Sequence, residues 1–376
     1  MSDKHIRMAI LDDGVHPEVC TLAGNYLIDE KLHVRTLKKN TVTPYSHGTM
    51  CARIVRLYTD FNNVDVFSIQ ILEKETWRGS IEGLLKAFEL CVSLDIRLIN
   101  LSAGTYAYED FARIEEAVRY LLDSDRILVA ATGNRGTVTY PAYLPDVIGV
   151  EYRQELIDDA YIYCQDLLTR IDFQASSRHK IVLGGHEIDT PISNSYAAPL
   201  ITAKILTILR SNQKANKNEI LRLLKNNASG CVFQNSVLTC SYPLVEIPVV
   251  VLTGFSNNRL SYLLTLLMKY LQQDDYNARV ATNLPGPRPW YETSFQEGVD
   301  IDSFIARMSW YFSCEIILLG ITSFILPDKY KNVSLWIYGE ESISTPIIDR
   351  LIAGQVLRVS GLSAIRVYEL MKAVMT

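Results

Sequence analysis

Ser193-Asn194-Ser195-Tyr196-Ala197-Ala198-Pro199 is the stretch on which the fold turns. It sets a serine at the head of an apolar run, Tyr196–Arg210, whose spacing predicts a helix. Taken alone, a serine there is an ordinary helix cap. Three stretches upstream change that reading. Val129-Ala130-Ala131-Thr132-Gly133-Asn134 carries an asparagine just beyond a short apolar run. Ser46-His47-Gly48-Thr49 places a histidine before a helical run, Met50–Leu57. Ile10-Leu11-Asp12-Asp13-Gly14 ends another apolar run in an acid.

The segments between these stretches predict an α/β architecture. Ile6–Leu11, Val64–Ile71, Arg97–Leu101 and Ile127–Ala131 read as strands. Ser80–Leu94, Phe111–Leu122, Tyr196–Arg210 and Asn218–Asn226 have apolar residues at helical spacing. Strands separated by helices imply a doubly wound parallel sheet. Ser229–Leu244, with its Gly, Asn, Ser and Pro, reads as a connector or hairpin. A second, smaller α/β domain follows. Its expected strands are Pro248–Thr253, Ala278–Thr282, Glu315–Ile321, Val333–Tyr338 and Val356–Val359, and its helices Leu260–Gln272, Ile301–Phe312, Thr345–Ala353 and Ser363–Val374. The expected division is a first domain over residues 1–229, a connector over 230–246 and a second domain over 247–376. A chain of 376 residues accommodates two domains of this size.

The four motifs supply what acyl transfer needs. A serine hydroxyl is a poor nucleophile at neutral pH, so it needs a neutral imidazole to take its proton and a carboxylate to hold that imidazole in the right tautomer. The transition state then puts negative charge on the carbonyl oxygen, which a side-chain amide and a backbone N–H can bind. Ser195, His47, Asp12, and the Asn134 amide with the Ser195 N–H are the candidates. The chain order Asp, His, Ser is one of the orders in which this triad occurs.

The four stretches resemble the DTG, HGT, AAGN and GTSMAAP motifs of the subtilisin-like (S8) serine peptidase family, over about residues 5–230. The resemblance implies a subtilisin-like fold and serine endopeptidase activity. It also implies substrate-binding positions. Leu98–Gly104, with Ser102, Ala103 and Gly104, resembles the strand lining the family's S1 pocket, and Glu75–Ser80, with Trp77 and Gly79, falls where the family places its other substrate-pairing strand. Tyr140-Pro141-Ala142 and Val147–Val150 resemble the segment after the oxyanion asparagine. Departures occur as well. Met50 replaces the second histidine of HGTH, and Ser193-Asn194 replaces the Gly-Thr before the nucleophile. That threonine supports the oxyanion hole in the family, so Asn194 is expected to alter rate or substrate. The short Phe173–Ser195 stretch implies trimmed loops near the nucleophile, and with Asp12 so near the start no N-terminal prodomain is expected.

Composition narrows the function further. A net charge of −5 with scattered Lys and Arg argues against nucleic-acid binding. Seven cysteines without a CxxC pair argue against a disulfide framework or a zinc site. Neither a secretory signal nor a membrane span is evident, Tyr262–Leu271 being short and interrupted by Lys269, so a cytoplasmic protein is expected. His16, His33, His179 and His186 show no metal-ligand spacing and are expected at the surface. No Asp/Asn-rich loop assigns Ca²⁺ ligands, so a structural metal stays unassigned, and no cofactor is expected. In the second domain, Gly254–Ser261 has the strand-loop-helix context of a phosphate loop, but Arg259-Leu260 stands where that loop needs Gly-Lys. Trp290, Tyr291 and Phe295 beside prolines are candidate peptide-docking anchors, or core or lid packing. The lead expectation is a selective processing endopeptidase, such as one removing the leader of a ribosomally made, modified peptide. The second domain is then the expected site for the precursor peptide or for self-association. A general degradative protease and an inactive binding scaffold are the alternatives.

Overall fold

The computed structural model describes residues 5–19, 21–37, 42–73, 76–134, 138–165, 170–183, 185–233, 247–286, 289, 291–295, 300–322, 333–339, 355–358 and 363–375. The chain divides into two compact units, Met1–Ser236 and Val237–Thr376.

The first unit is built on a ten-stranded sheet. Its central strands are β1 (Ile6–Asp12), β4 (Val64–Gln70), β5 (Leu98–Leu101), β6 (Ile127–Ala131) and β7 (Ile148–Tyr152). To one side lie β2 (Leu22–Ile28) and β3 (Val34–Thr36); to the other lie β8 (Tyr161–Gln165), β9 (Phe173–Ala175) and β12 (Cys231–Phe233). The order is β12-β8-β9-β7-β6-β5-β1-β4-β2-β3, parallel except for the β2–β3 and β8–β9 pairs. Residues of β5 and β6 are all buried, as apolar strands covered on both faces should be. A separate hairpin joins β10 (Lys180–Leu183) to β11 (His186–Asp189). Cys231–Phe233, in the stretch read as a connector or hairpin, extends this sheet by pairing in parallel with Tyr163–Gln165.

The helices of this unit are α1 (His47–Tyr58), α2 (Ile81–Ser93), α3 (Phe111–Asp123), α4 (Asn194–Ser211) and α5 (Lys217–Asn227). α4 buries Leu200, Ile201, Ile205, Leu206 and Leu209 in one core with Ile54 and Val55 of α1 and Met8, Val129 and Val150 of the sheet. β1 has β4 on one side and β5 on the other, so the chain order reverses there. In open α/β sheets the carboxyl ends of the strands at such a reversal form the binding crevice. Asp12 is the last residue of β1.

The second unit has a six-stranded parallel sheet, ordered β15-β14-β16-β13-β17-β18. Its strands are β13 (Val249–Thr253), β14 (Ala278–Thr282), β15 (Glu292–Ser294), β16 (Ile316–Ile321), β17 (Leu335–Tyr338) and β18 (Gln355–Arg358), and its helices α6 (Asn257–Gln273), α7 (Ile301–Phe312) and α8 (Ala364–Met375). It has its own core, in which Leu260, Leu264, Leu267 and Met268 pack with Val250, Val280 and Leu318. The expected helix Thr345–Ala353 lies outside the described residues. For Phe295 and Tyr291 the structure favours packing over peptide docking. Phe295 is buried against Phe304 at 5.6 Å, and Tyr291 packs on the core. Both are taken up by packing because β15 draws their segment onto the sheet edge; Trp290 lies outside the described residues. Among the described residues no helix is long and apolar enough to cross a membrane.

Candidate active site

β1 delivers Asp12 to the crevice, and the next residue builds the neighbouring helix. The Asp13 carboxylate accepts the backbone N–H groups of His47 (3.1 Å) and Gly48 (2.8 Å), while Ser46 caps Thr49 N–H at 3.2 Å. A carboxylate there meets unpaired donors and the positive end of the α1 dipole. His47 is thereby fixed as the first residue of α1, facing Asp12. The approach is close enough to require glycine at 48: a Cβ would lie 2.7 Å from the Gly14 carbonyl oxygen and 2.9 Å from Asp12 Cβ.

α4 presents Ser195 from the opposite side. Pro199 sits inside this helix, where its missing N–H deprives the Ser195 carbonyl of a helical partner. That carbonyl is taken instead by Ser102 Oγ at 3.4 Å and Cys51 Sγ at 3.6 Å. The result is a continuous relay. His47 Nδ1 is 2.8 Å from Asp12 Oδ2, and His47 Nε2 is 2.8 Å from Ser195 Oγ. Asp12 is fully buried, and Asp13 N–H donates to its Oδ1 at 2.8 Å. The Tyr196 ring lies 4.9 Å from the imidazole on one side and the Trp77 ring 5.9 Å away.

Burial pushes the His47 pKa down, but the Asp12 charge and hydrogen bond outweigh it and raise the pKa well above 6.5. Burial, then the Asp12 charge, raises Asp13, partly offset by the two backbone donors. Cys51 is also raised by burial and stays a neutral thiol. Asp12, His47 and Cys51 bring three metal-ligating atoms within 4.8 Å. Because the acid and imidazole are paired and the thiol keeps its proton, this set suits a proton relay rather than a cation.

Asn134 reaches the site from the loop after β6. Its Oδ1 accepts Asn194 N–H at 2.9 Å, which fixes the amide so that Nδ2 points at Ser193 Oγ, 3.1 Å away. Asn194 does not occupy the crevice. It is 2% exposed, with Oδ1 on Tyr152 N–H (2.7 Å) and Nδ2 on the Gly133 carbonyl (2.9 Å). Asn194 thus acts from behind the crevice, tying α4 to β7 and to the Asn134 loop, and Ser193 is the residue that faces Ser195.

These groups open into a cleft of about 570 Å³. Ser102, Ala103 and Gly104 line one wall with Ala131–Gly133, and Trp77, Gly79 and Ser80 line the other. The Trp77–Ser80 segment is not a strand. Trp77 has a φ of 54°, and Ser80 already caps α2. Trp77 is 63% exposed, so its ring stands in the cleft as a contact surface. Tyr106 lines the cleft too, its hydroxyl lying where a side chain at Gly133 would be.

Sequence reasoning missed Cys51, Asp13, Tyr196 and Ser193 as parts of the site. Asp13 becomes recognisable as the partner of the His47-Gly48 helix start only once β1 and α1 are known to be neighbours, because the two lie 34 and 35 residues apart in the chain. The histidine expectation also needs correction. His33 and His186 are exposed, but His16 and His179 are buried. His179 receives the Tyr58 hydroxyl at Nδ1 (2.8 Å) and donates from Nε2 to the Tyr196 carbonyl (3.0 Å), so its burial is compensated.

A doubly wound sheet with a Ser–His–Asp relay at its reversal point defines a serine protease of the subtilisin-like class. The model of the Subtilase family (Peptidase_S8) matches residues 3–260, and the chain belongs to that family. Among solved structures it is similar to a cold adapted subtilisin-like serine proteinase (16% identity, 61% of this chain and 84% of that one, TM-score 0.46). It is also similar to the S41 psychrophilic protease (17% identity, 60% and 84%, TM-score 0.48) and to a lanthipeptide protease (13% identity, 60% and 81%, TM-score 0.46). No curated protein matches the chain.

Proposed function

We propose that the protein is an active endopeptidase that hydrolyses a selected peptide or protein substrate through an acyl-enzyme on Ser195. The observation that carries this reading is the uninterrupted relay Asp12–His47–Ser195, both links 2.8 Å. In the forward step Ser195 Oγ attacks the scissile carbonyl as His47 Nε2 takes its proton. Asp12 holds Nδ1–H and stabilises the imidazolium, which then protonates the leaving amine. Water repeats the sequence to release the acid. The developing oxyanion is met by Asn134 Nδ2 and Ser195 N–H.

Selectivity is the finer part of the proposal. Support for it comes from the aromatic rings of Trp77 and Tyr106 in the cleft and from a second α/β unit that holds none of the four assigned catalytic residues, all of which lie in the first. We assign that unit to substrate choice, with a precursor peptide as the substrate class. A fluorophosphonate probe should label the wild type, and Ser195→Ala should abolish labelling. A chain ending at Ser236 should still be labelled but process its natural substrate poorly. Labelling that survives Ser195→Ala removes the nucleophile, and absence of labelling in the wild type favours a binding scaffold. Rapid digestion of unfolded casein favours a general degradative enzyme.

A further inference from the structure

Ser193 stands where the family motif has glycine, and its hydroxyl has a complete set of partners. It accepts from Asn134 Nδ2 at 3.1 Å and from the Ser195 backbone N–H at 3.3 Å. It lies 2.7 Å from Ser195 Oγ. With Ser195 donating to His47 Nε2, the Ser193 proton has two acceptors in reach, Ser195 Oγ at 2.7 Å and Asn134 Oδ1 at 3.3 Å, and either choice leaves both Ser193 lone pairs to the two N–H donors. Those two donors are the pair assigned to the oxyanion. An oxygen that both of them reach, beside the nucleophile, sits where the substrate's carbonyl oxygen must come.

We infer that the Ser193 hydroxyl occupies the oxyanion pocket of the free enzyme and has to rotate out before a substrate carbonyl can be attacked, so that Ser193 limits the rate of acylation. The inference rests on the site reading above. Serving instead as a third oxyanion donor would require the hydroxyl to stand beside the pocket, with its proton aimed inward. Its oxygen is in the pocket, and the donors converge on it. Displacement is feasible because the residue is partly exposed and a serine has three staggered χ1 positions. A bound substrate then has to exchange its carbonyl oxygen for the hydroxyl, and a poorly seated peptide achieves this rarely. The device would favour substrates held firmly by the rest of the cleft.

The test compares fluorophosphonate inactivation of the wild type, Ser193→Gly and Ser193→Ala. Glycine is the preferred replacement because it substitutes for a serine N-cap at a cost of only a few tenths of a kcal/mol. Both variants should react about tenfold faster than the wild type, the worth of roughly one hydrogen bond, although each loses a cap and neither should melt higher. A merely structural role moves the rate the other way. Unchanged or slower inactivation in folded Ser193→Gly and Ser193→Ala overturns the inference while leaving the triad intact. Labelling that persists in the Ser193→Gly, Ser195→Ala double variant, or no labelling in any variant, overturns the site reading and this inference with it.

Discussion

Replacing Asp12 by asparagine tests the electrostatic core of the site with almost no change of volume. The Asp12 carboxylate makes two well-defined contacts that decide the outcome. Its Oδ1 accepts Asp13 N–H, so the asparagine oxygen must remain there, and the new amide NH₂ then faces His47 Nδ1. Nδ1 becomes an acceptor, the ring proton moves to Nε2, and the nitrogen facing Ser195 can no longer take its proton. The lost charge adds to the lost tautomer: opposite unit charges about 4 Å apart at an effective dielectric of 20 are worth about 4 kcal/mol. A loss of about 10⁴ in kcat, measured on other triad enzymes, corresponds to about 5.5 kcal/mol, so charge and tautomer together account for it. The pH dependence carries the sharper test. Wild-type His47 titrates well above 6.5 because Asp12 outweighs burial, so the rate of inactivation should rise with pH up to that raised value. In Asp12→Asn burial keeps lowering the pKa while its strongest opponent is gone, so the rising limb should move to lower pH even as the plateau falls. The linked stability has a definite sign: protonated His47 stabilises the wild type fully below the unfolded value of about 6.5, and this is lost as pH rises through the folded value. The assay is fluorophosphonate inactivation across pH 5–10 for both proteins. A limb that stays in place, or moves up, would refute the assignment of Asp12 as the charge that controls His47.

Asn134→Ala should lower kcat by about 10²–10³ with KM nearly unchanged, a magnitude established on subtilisin, a member of this family; an effect confined to KM in steady-state assays would make Asn134 a substrate contact instead. Gly48→Ala should destabilise by about 1–3 kcal/mol, against the usual gain of about 1 kcal/mol for Gly→Ala within a helix, because the Cβ meets Gly14 oxygen and Asp12 Cβ; a higher melting temperature refutes the steric argument. Burial lowers the His179 pKa to about 4, below its unfolded 6.5, so the unfolded chain binds the proton first and stability falls as pH drops from about 6.5 towards 4. The loss is bounded by about 3 kcal/mol, and urea midpoints at pH 7 and pH 4.5 should differ less in His179→Gln than in the wild type.

The strands and helices that the sequence revealed are those whose burial is one-sided or complete. Ile127–Ala131, Ala278–Thr282 and Ile301–Phe312 stand where their apolar runs place them. Missed elements lack that signal. Leu22–Ile28 contains Gly24 and Asn25 and is mostly half-buried, and Val34–Thr36 is exposed throughout, so neither shows a clear period. His186–Asp189 is a largely exposed hairpin arm and hides for the same reason. The histidines show a different limit. Nothing local to His179 announces burial, because the Tyr58 hydroxyl that compensates it comes from 121 residues away. At the site, the types Asp12, His47, Asn134 and Ser195 were legible because each step of acyl transfer demands a particular functional group. Direction was not. Ser193 and Asn194 are adjacent in an extended-to-helical transition, and which of the two faces the crevice is settled by Tyr152 N–H at the end of β7 and the Gly133 carbonyl in the loop after β6, both distant in sequence.

Pro199 illustrates how a local fault can be the cause of a tertiary joint. Inside a helix, proline removes a hydrogen bond and crowds the carbonyl four residues earlier, at a cost of about 3 kcal/mol or more if nothing compensates. Here that carbonyl belongs to Ser195 itself. Left unpaired in a buried place it would be costly, and the fold answers with donors from two other elements: the Ser102 hydroxyl, just beyond β5, and the Cys51 thiol, one turn along α1 from His47. Asn100 then steadies Ser102 from within the sheet, donating to it at 3.2 Å and accepting Thr202 of α4 at 2.8 Å. The nucleophile's own backbone is thus tied to the helix that carries its base and to the wall of the cleft that receives substrate. A residue with an intact helical bond at 199 would satisfy the Ser195 carbonyl within α4 and leave Ser102 and Cys51 without that common acceptor. The proline that weakens the helix is therefore what makes the position of Ser195 relative to His47 a property of the whole crevice rather than of α4 alone.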